Sequence, residues 1–178
     1  MSSPLFPPAT DAELAVLRTQ LGRPARGVVG IAARCVCGNP TVVATAPRLE
    51  DGTPFPTFYY LTHPAATAAM STLEAEHVMP ELAALLDEDE DVRTAYATAH
   101  AAYLRDRASY GDVPEIEGIS AGGMPSRVKC LHALAGHALA AGPGVNPIGD
   151  AALARSAWSP SRCVCADPGA ARTGSASG

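Results

Sequence analysis

Large aromatic side chains are scarce in this sequence, whose 178 residues include one tryptophan, three phenylalanines and five tyrosines. Apolar residues still make up 47% of the chain, and alanine supplies much of that share. The length is sufficient for one domain with a hydrophobic core. We therefore expect a globular protein whose core depends on closely packed helices more than on large rings.

Positive charge is also in deficit. The chain has 13 lysine and arginine residues against 18 acidic ones, which gives a formal net charge of −5. General binding to nucleic acid or to an anionic membrane requires a positive field. We therefore expect neither nucleic acid nor a membrane among the partners, although a local basic patch is compatible with this balance.

Long apolar runs are missing as well. No run reaches the roughly 18 residues of a transmembrane helix, and the first residues lack the basic and then apolar order of a signal peptide. We therefore expect a cytoplasmic protein. The five cysteines are then expected to be thiols or metal ligands and not disulfides, because the cytoplasm is reducing.

Three short strands are predicted in the N-terminal half of the chain. Apolar and β-branched residues predict strands over 27–34 and 41–45, and β-propensity predicts a third over 57–62. The sequence CVCGNP, residues 35–40, has the composition of a turn. The first two strands are therefore expected to pair as a hairpin.

Helical patterns account for most of the remaining chain. At Thr10 and Glu13 the sequence predicts a capping box, in which each side chain accepts a backbone N–H of the other residue. Apolar spacing predicts four further segments, namely 65–78 with a kink or restart at Pro80, 90–109, 125–141 and 147–157.

These elements together predict an α+β fold, in which a small three-stranded antiparallel sheet over 27–62 is covered by four to five helices. We expect residues 1–9 to be a flexible lead and residues 10–158 to form a single globular domain. The tail over 159–178 is rich in serine, proline, glycine and alanine, and this composition predicts disorder.

The segment 125–141 carries one thiol and two imidazoles on a predicted helix. At about 100° per residue, Cys130 and His137 lie about 20° apart on one face. His132 lies about 200° from Cys130, on the opposite face. One ion therefore cannot bind all three side chains on a regular helix, and further ligands must come from elsewhere.

Cys35 and His63 lie at the ends of predicted strands, where ligands are commonly presented. Zinc takes four cysteine or histidine ligands in a tetrahedron, so we predict a zinc site formed by Cys35, His63, Cys130 and His137. The alternative is an iron–sulfur cluster held by thiolates, with Cys35, Cys37, Cys130 and either Cys163 or Cys165 as candidates. The Cys-x-Cys spacing argues against a metal centre of either kind, because it is tighter than the usual Cys-x₂-Cys knuckle and no second knuckle follows.

Two cations, Arg127 and Lys129, lie in the first turns of the same predicted helix, behind Gly122-Gly123. Free N–H groups at a helix start, a glycine-rich approach and nearby cations together predict an anion-binding pocket. Arg48 could contribute from a sheet loop. The glycine pattern is not that of a P-loop, and these cations could instead pair with acidic residues such as Glu115.

Two other functions are compatible with these residues. The first is an enzyme acting on a small phosphorylated or carboxylate substrate, with His63, His132 or Cys130 supplying proton transfer or the nucleophile. A cysteine near a helix start and beside a lysine can have a lowered pKa. The second is an interaction module that binds a partner protein through an exposed apolar face of the 90–109 helix.

Two long segments resemble a known family. RCVCGNPTVVATAPRLEDGTPFPTFYYLTHP (34–64) and GGMPSRVKCLHALAGHALAAGPGVNPIGD (122–150) resemble an actinobacterial family designated domain of unknown function 501, and the resemblance covers about residues 13–157. It implies a small bacterial cytoplasmic protein without an assigned activity, so no catalytic residue follows from it. Cys37, Cys163 and Cys165 are less typical of the family pattern, and the resemblance favours a site built on Cys35.

Overall fold

The computed structural model describes residues 5–175. It has the predicted α+β fold, with one three-stranded antiparallel sheet and, within the described residues, six α-helices, one more than the predicted maximum. In chain order the elements are α1 (Asp11–Leu21), β1 (Val28–Arg34), β2 (Pro40–Thr45), β3 (Tyr59–Leu61), α2 (Pro64–Ala75), α3 (Val78–Glu88), α4 (Glu90–Ala108), α5 (Leu131–Ala141) and α6 (Pro147–Arg155). Short 3₁₀ helices lie at Pro114–Ile116 and Ala170–Ser175. None of the helices in this part of the chain is both long and apolar enough to cross a membrane.

The sheet is built on the predicted hairpin. β1 and β2 pair antiparallel, from Val28 opposite Thr45 to Arg34 opposite Pro40, and β2 also pairs antiparallel with β3. β2 is therefore the central strand, and all six of its residues are buried. Burial on both faces explains why its sequence lacks the alternation of a half-exposed strand.

Helix α1 begins where the capping box predicts. The Thr10 side chain accepts the N–H of Glu13, and the Glu13 carboxylate accepts the N–H of Thr10 at 2.8 Å. The same buried carboxylate also forms an ion pair with Arg34 at the end of β1. The capping interaction therefore holds α1 against the end of the hairpin.

Three helices follow the sheet. The break between α2 and α3 falls at His77, whose φ is +59°, and not at Pro80, where the sequence predicted a kink or restart. Pro80 instead lies in the first turn of α3, where a missing N–H breaks no helical hydrogen bond. The acidic run 87–91 contributes Asp89, whose carboxylate accepts two N–H groups in the first turn of α4.

Helix α5 begins later than the sequence predicts. We expected it to start near Pro125, but it starts at Leu131. Gly122 and Gly123 have φ values of +70° and +98°, and a Cβ on Gly123 would lie 2.6 Å from the carbonyl oxygen of Arg127. The residues before α5 therefore form a loop that folds closely on itself, which only glycine permits at this point.

Several of the few aromatic rings lie together where the sheet meets α4 and α5. Phe58 and Tyr59 pack edge-to-face against Tyr103 of α4, and the Tyr103 hydroxyl accepts the N–H of Phe58. The ring of His137, from α5, stacks on Tyr59 with centroids 5.5 Å apart. A small number of rings therefore joins three elements of the core.

The C-terminal segment, for which composition predicts disorder, runs back to the hairpin. Its 3₁₀ helix Ala170–Ser175 packs against α1. Residues 176–178 of this tail lie outside the described residues, as do residues 1–4 of the predicted flexible lead. The path of residues 159–175 determines which cysteines meet.

Candidate metal centre

Four cysteines from distant parts of the chain meet at one end of the sheet. Cys35 and Cys37 belong to the turn between β1 and β2, whereas Cys163 and Cys165 belong to the C-terminal segment. All four sulfur atoms lie within 4.8 Å of one another, and the Sγ atoms of Cys37 and Cys165 are 3.6 Å apart. We call this group the four-cysteine cluster.

The hairpin turn positions the first pair of sulfurs. The N–H of Cys35 donates to the carbonyl of Asn39, and the N–H of Gly38 donates to the carbonyl of Cys35. Gly38 has a φ of +94°, which most other residues adopt only with strain. The tight turn therefore keeps Cys35 and Cys37 together, with Cys35 buried and Cys37 partly exposed.

The side chain of Asn39 holds the second pair in place. Its amide nitrogen donates to the carbonyl of Asp167 at 2.8 Å, and its oxygen accepts the N–H of Ala171 at 3.0 Å. Asn39 is 3% exposed, so these hydrogen bonds are shielded from water. A further bond joins Arg172 to the carbonyl of Val36 at 3.0 Å. The chain just after Cys165 is therefore bound to the turn that carries Cys35 and Cys37.

His63 lies beside this cluster. Its Nδ1 accepts the N–H of Ala66 at 3.4 Å, as the N-cap of α2, and its Nε2 is 3.3 Å from the sulfur of Cys165. Because Nδ1 is an acceptor, the neutral ring carries its proton on Nε2 and donates to the sulfur. Burial lowers the pKa of His63 and favours this neutral form. His63 therefore supports a thiolate and does not itself offer a lone pair to an ion.

The sulfur atoms differ in their protonation equilibria. Burial raises the pKa of Cys35 and of Cys165, and neighbouring thiols raise that of Cys165 further. Burial also raises the pKa of Cys37, but the backbone N–H groups of Asn39 and Gly169, together with neighbouring thiols, outweigh it and lower the pKa to about 7. A cation bound among the sulfurs would deprotonate coordinating thiols outright.

The four residues predicted to bind zinc do not form one group of potential ligands among the described residues. Cys35 is in the four-cysteine cluster, and His63 contacts it through Cys165. Cys130 belongs to a different group, and His137 lies in the core.

His137 acts as a core residue. It is fully buried, its ring stacks on Tyr59, and its Nδ1 accepts a hydrogen bond from the Asn146 amide at 3.1 Å. The oxygen of the same amide accepts the N–H of Gly149, which fixes the orientation of Asn146. Burial lowers the pKa of His137 to about 4. The ring is therefore neutral at pH 7.

Cys130 forms a second group with Glu74 and His132. It lies at the N-cap of α5 with an extended backbone, at a φ of −151°, so the helical geometry that predicted His132 on the opposite side does not apply. Its sulfur is 4.0 Å from His132 Nδ1, and Glu74 Oε1 is 3.3 Å from the same nitrogen. The hydrogen bond from His132 lowers the pKa of Cys130, while Cys130 and Glu74 raise the pKa of His132. The prediction that His132 faces away from Cys130 is therefore wrong.

The predicted anion-binding residues have different surroundings. One guanidinium nitrogen of Arg48 donates to both carboxylate oxygens of Glu115, at 2.9 and 2.7 Å. Arg127 and Lys129 are exposed in the loop before α5 and not in a helical turn. The first N–H of α5 is taken by the Glu74 carboxylate. Anion binding by Arg48, Arg127 and Lys129 stays a prediction, with Arg48 already paired.

Cys163, Cys165 and Glu74 are not among the four ligands that the sequence predicts for zinc. The composition around the two cysteines resembles that of a disordered tail. A signal was nevertheless present, because the chain contains Cys-Val-Cys twice, at 35–37 and at 163–165. Glu74 carried no comparable signal, since it is one of several acids on alanine-rich helices.

The fold and this site define an α+β protein with a four-cysteine cluster at one end of its sheet. Residues 31–154, more than half of the chain, match the family described as Protein of unknown function (DUF501), and the chain belongs to that family. No curated protein and no solved structure matches it. The matched range contains Cys35 and Cys37 and ends before Cys163 and Cys165.

Proposed function

We propose that this protein binds one zinc ion through the four-cysteine cluster of Cys35, Cys37, Cys163 and Cys165. The observation that supports the proposal is the convergence of all four sulfur atoms within 4.8 Å of one another. Four thiolates are a common ligand set of structural zinc sites. They would leave no open position on a tetrahedral ion, so the role proposed for this site is structural.

The spacing of the sulfurs favours a single ion over an iron–sulfur cluster. In a tetrahedral site with zinc–sulfur bonds of about 2.3 Å, two sulfurs are about 3.8 Å apart. The Sγ atoms of Cys37 and Cys165 are 3.6 Å apart. An iron–sulfur cluster inserts several iron and sulfide atoms between the thiolates and therefore requires wider separations.

Groups around the cluster suit the negative charge that four thiolates retain on one zinc ion. Backbone N–H groups of Asn39 and Gly169 lower the pKa of Cys37, and His63 Nε2 faces Cys165 at 3.3 Å. Hydrogen bonds of this kind orient metal ligands and tune their basicity. His63, first predicted as a ligand, has this supporting role in the proposal.

The ion would connect distant parts of the chain. Cys37 and Cys165 are 128 positions apart, and a zinc ion between them would hold the C-terminal segment on the hairpin. Binding that requires the folded arrangement contributes its free energy to folding. The proposed function is therefore a zinc-stabilised fold whose C-terminal segment is held by the metal.

Metal content of the full-length protein tests the proposal. We expect zinc in protein purified without chelators under reducing conditions, and we expect Cys165→Ser to contain one equivalent less. Val164→Ala, which changes the exposed residue between the two tail cysteines, serves as the matched control and should keep the wild-type content. Equal zinc content in Cys165→Ser and wild type would contradict the proposal, as would iron and sulfide in place of zinc.

A second candidate function is an enzyme acting on a small phosphorylated or carboxylate substrate. It is supported by the contact of Cys130 with His132 and by the exposed Arg127 and Lys129 in the same loop. A thermal-shift screen against phosphorylated metabolites and carboxylates tests it. We expect stabilisation that Lys129→Ala weakens and Arg105→Ala, on the exposed face of α4, does not. No stabilisation by any anion would count against this function.

An interaction module based on α4 has less support. The large apolar residues exposed in the described chain are Leu5, Leu14, Val36, Ile119 and Val164, and none belongs to α4.

A cytoplasmic location remains part of the proposal. It is supported by the five free cysteines, since thiols persist in reducing compartments.

A further inference from the structure

A second group of potential metal ligands lies where α2 meets the start of α5. Glu74 belongs to the last turn of α2, Cys130 precedes α5, and His132 lies in the first turn of α5. One ligand atom from each lies within 4.8 Å of the other two. The side chains of Glu74 and His132 are 26% and 27% exposed, so the group is accessible but largely enclosed.

Two separations within this group are close to the edges of a coordination tetrahedron. Glu74 Oε1 is 3.3 Å from His132 Nδ1, and that nitrogen is 4.0 Å from Cys130 Sγ. A charge-assisted hydrogen bond between such groups is typically about 2.7–2.9 Å. Around a tetrahedral ion with bonds of about 2.0–2.3 Å, the same pairs would be about 3.3–3.6 Å apart. The first separation matches that range, and the second exceeds it only slightly.

The other ring nitrogen of His132 is held by the protein. Its Nε2 is 3.2 Å from the carbonyl oxygen of Thr67 and 3.1 Å from the hydroxyl of Ser71. A carbonyl only accepts hydrogen bonds, so Nε2 carries a proton. When a metal ion displaces the proton from Nδ1, the Nδ1 lone pair is directed towards the position between Glu74 and Cys130. A metal-bound histidine usually donates its second N–H to a carbonyl or carboxylate in this way.

A catalytic triad fits this geometry less well. In such triads the nucleophile and the carboxylate lie on opposite nitrogens of the imidazole, and the carboxylate orients the ring. Here Glu74 and Cys130 both face Nδ1. The carboxylate would therefore compete with the thiol for the same proton. Three electron-pair donors that converge on one point are better satisfied by a shared cation.

We propose that Glu74, Cys130 and His132 bind a second divalent transition-metal ion, of which zinc is the first candidate. Mixed oxygen, nitrogen and sulfur ligands suit zinc, and sites with three protein ligands keep a fourth position for water or substrate. This site would differ in kind from the four-cysteine cluster, whose ligand set is closed. All three residues lie within the range 31–154 that matches the family. The proposal does not depend on the four-cysteine cluster.

Cobalt titration of the full-length protein tests this proposal. Protein stripped of metal under reducing conditions is titrated with Co²⁺, whose thiolate-to-metal absorption reports coordination by cysteine. We expect the wild type to bind two equivalents of cobalt. Each of the variants Cys130→Ser, His132→Gln and Glu74→Gln should bind one equivalent, or should bind the second with an affinity at least about ten times lower. Glu76→Gln, at an exposed position two residues from Glu74, is the matched control and should bind two.

The outcomes separate the two metal sites. If Glu74→Gln and Cys130→Ser both bind as much cobalt as the wild type, the second site is wrong. If the wild type binds one equivalent that only Cys165→Ser abolishes, the second site is wrong and the four-cysteine site stands. If only Cys130→Ser abolishes a single equivalent, the four-cysteine site is wrong and the second site stands. Circular dichroism identifies any variant that fails to fold. If one does, the cobalt binding of Glu74→Gln decides the test, because this substitution hardly changes the shape of the side chain.

Discussion

His137 makes folding sensitive to pH, because it is buried without a charged partner. Burial lowers its pKa to about 4, against about 6.5 in an unfolded chain. Between these two values the unfolded chain binds the proton and the folded protein does not. Stability therefore rises with pH through this window and is lost as the pH falls towards 4. From pH 7.5 to pH 5 the expected loss is about 2 kcal/mol.

The substitution His137→Phe tests this linkage. The ring remains, so the stacking on Tyr59 is kept, while the hydrogen bond from Asn146 is lost at a cost of about 1 kcal/mol. In urea unfolding we expect the variant to lose about 2 kcal/mol less than the wild type between pH 7.5 and pH 5. Both proteins contain the same thiols, so the effects of metal release cancel in this difference.

The control is His77→Gln at an exposed histidine, which should keep the pH dependence of the wild type. An equal loss of stability in His137→Phe and in wild type would show that His137 is not the responsible group.

Arg107 is a buried cation that joins two loops to α4. It is 6% exposed, and its guanidinium donates to the carbonyls of Pro56, Ile116 and Ile119. Three carbonyls would lose their charged donor in Arg107→Met, although those of Pro56 and Ile116 also accept from the Tyr103 hydroxyl and the Ile119 N–H. A hydrogen bond to a charged group contributes about 1.5–3 kcal/mol. We expect a loss of at least about 3 kcal/mol in the free energy of unfolding.

Chemical denaturation measures the effect of Arg107→Met. Arg107→Lys should be intermediate, because a single ammonium group cannot reach all three carbonyls. Arg105→Met, at an exposed position of the same helix, should change stability by less than about 0.5 kcal/mol. A change of similar size in Arg105→Met would mean that the hydrogen bonds of Arg107 contribute little.

At the scale of elements, the close contact between α5 and α6 depends on one glycine. A Cβ at Gly149 would overlap the carbonyl oxygen of Leu134 and lie 2.8 Å from the Cβ of Ala138. Gly149→Ala must therefore push the helices apart, and we expect a loss of about 3 kcal/mol in thermal or urea unfolding. At Gly136 the nearest contact of such a Cβ would be 3.2 Å. Gly136→Ala should therefore cost clearly less, and the reverse order would contradict this account of the packing.

The elements that the sequence predicts well are those with a local cause. The capping box at Thr10 needs only residues within one turn, and the hairpin follows from two apolar runs and a turn. The start of α5 has no such local cause. Pro125 suits the first position of a helix, and nothing nearby excludes it. The true start depends on the folded loop at Gly122-Gly123 and on Glu74, which accepts the first N–H of α5 from another helix.

The candidate metal sites can also be predicted from the sequence only where the cause is local. Cys35 could be singled out from its turn, but its partners lie in a tail whose composition resembles disorder. A regular helix over 125–141 predicts that Cys130 and His137 share one face. Cys130 instead precedes the helix, and its extended backbone brings the sulfur towards His132. Contacts between residues distant in sequence decided both sites.

At the scale of the whole molecule, the proposed zinc ion would join the C-terminal segment to the turn between β1 and β2. Residues 159–175 contribute Cys163 and Cys165 to the cluster, a hydrogen-bonded connection to Asn39, and a 3₁₀ helix against α1. If the ion holds this segment, removing the segment and removing the ion should have overlapping effects on stability. If the segment is held by its other contacts alone, the two effects should add.

Deletion of residues 159–178 tests this coupling, in a Cys130→Ser background so that metal at the second group does not contribute. At a zinc concentration about a thousand times the dissociation constant, a bound ion adds about 4 kcal/mol to stability. For a chain of this length, that corresponds to about 10 °C in Tm. We expect a chelator to lower the Tm of the full-length chain by about this amount and to leave the deleted chain almost unchanged. Deletion of residues 176–178 alone is the control and should keep the response to chelator. An equal fall in Tm for the chain without 159–178 would mean that the stabilising metal lies elsewhere.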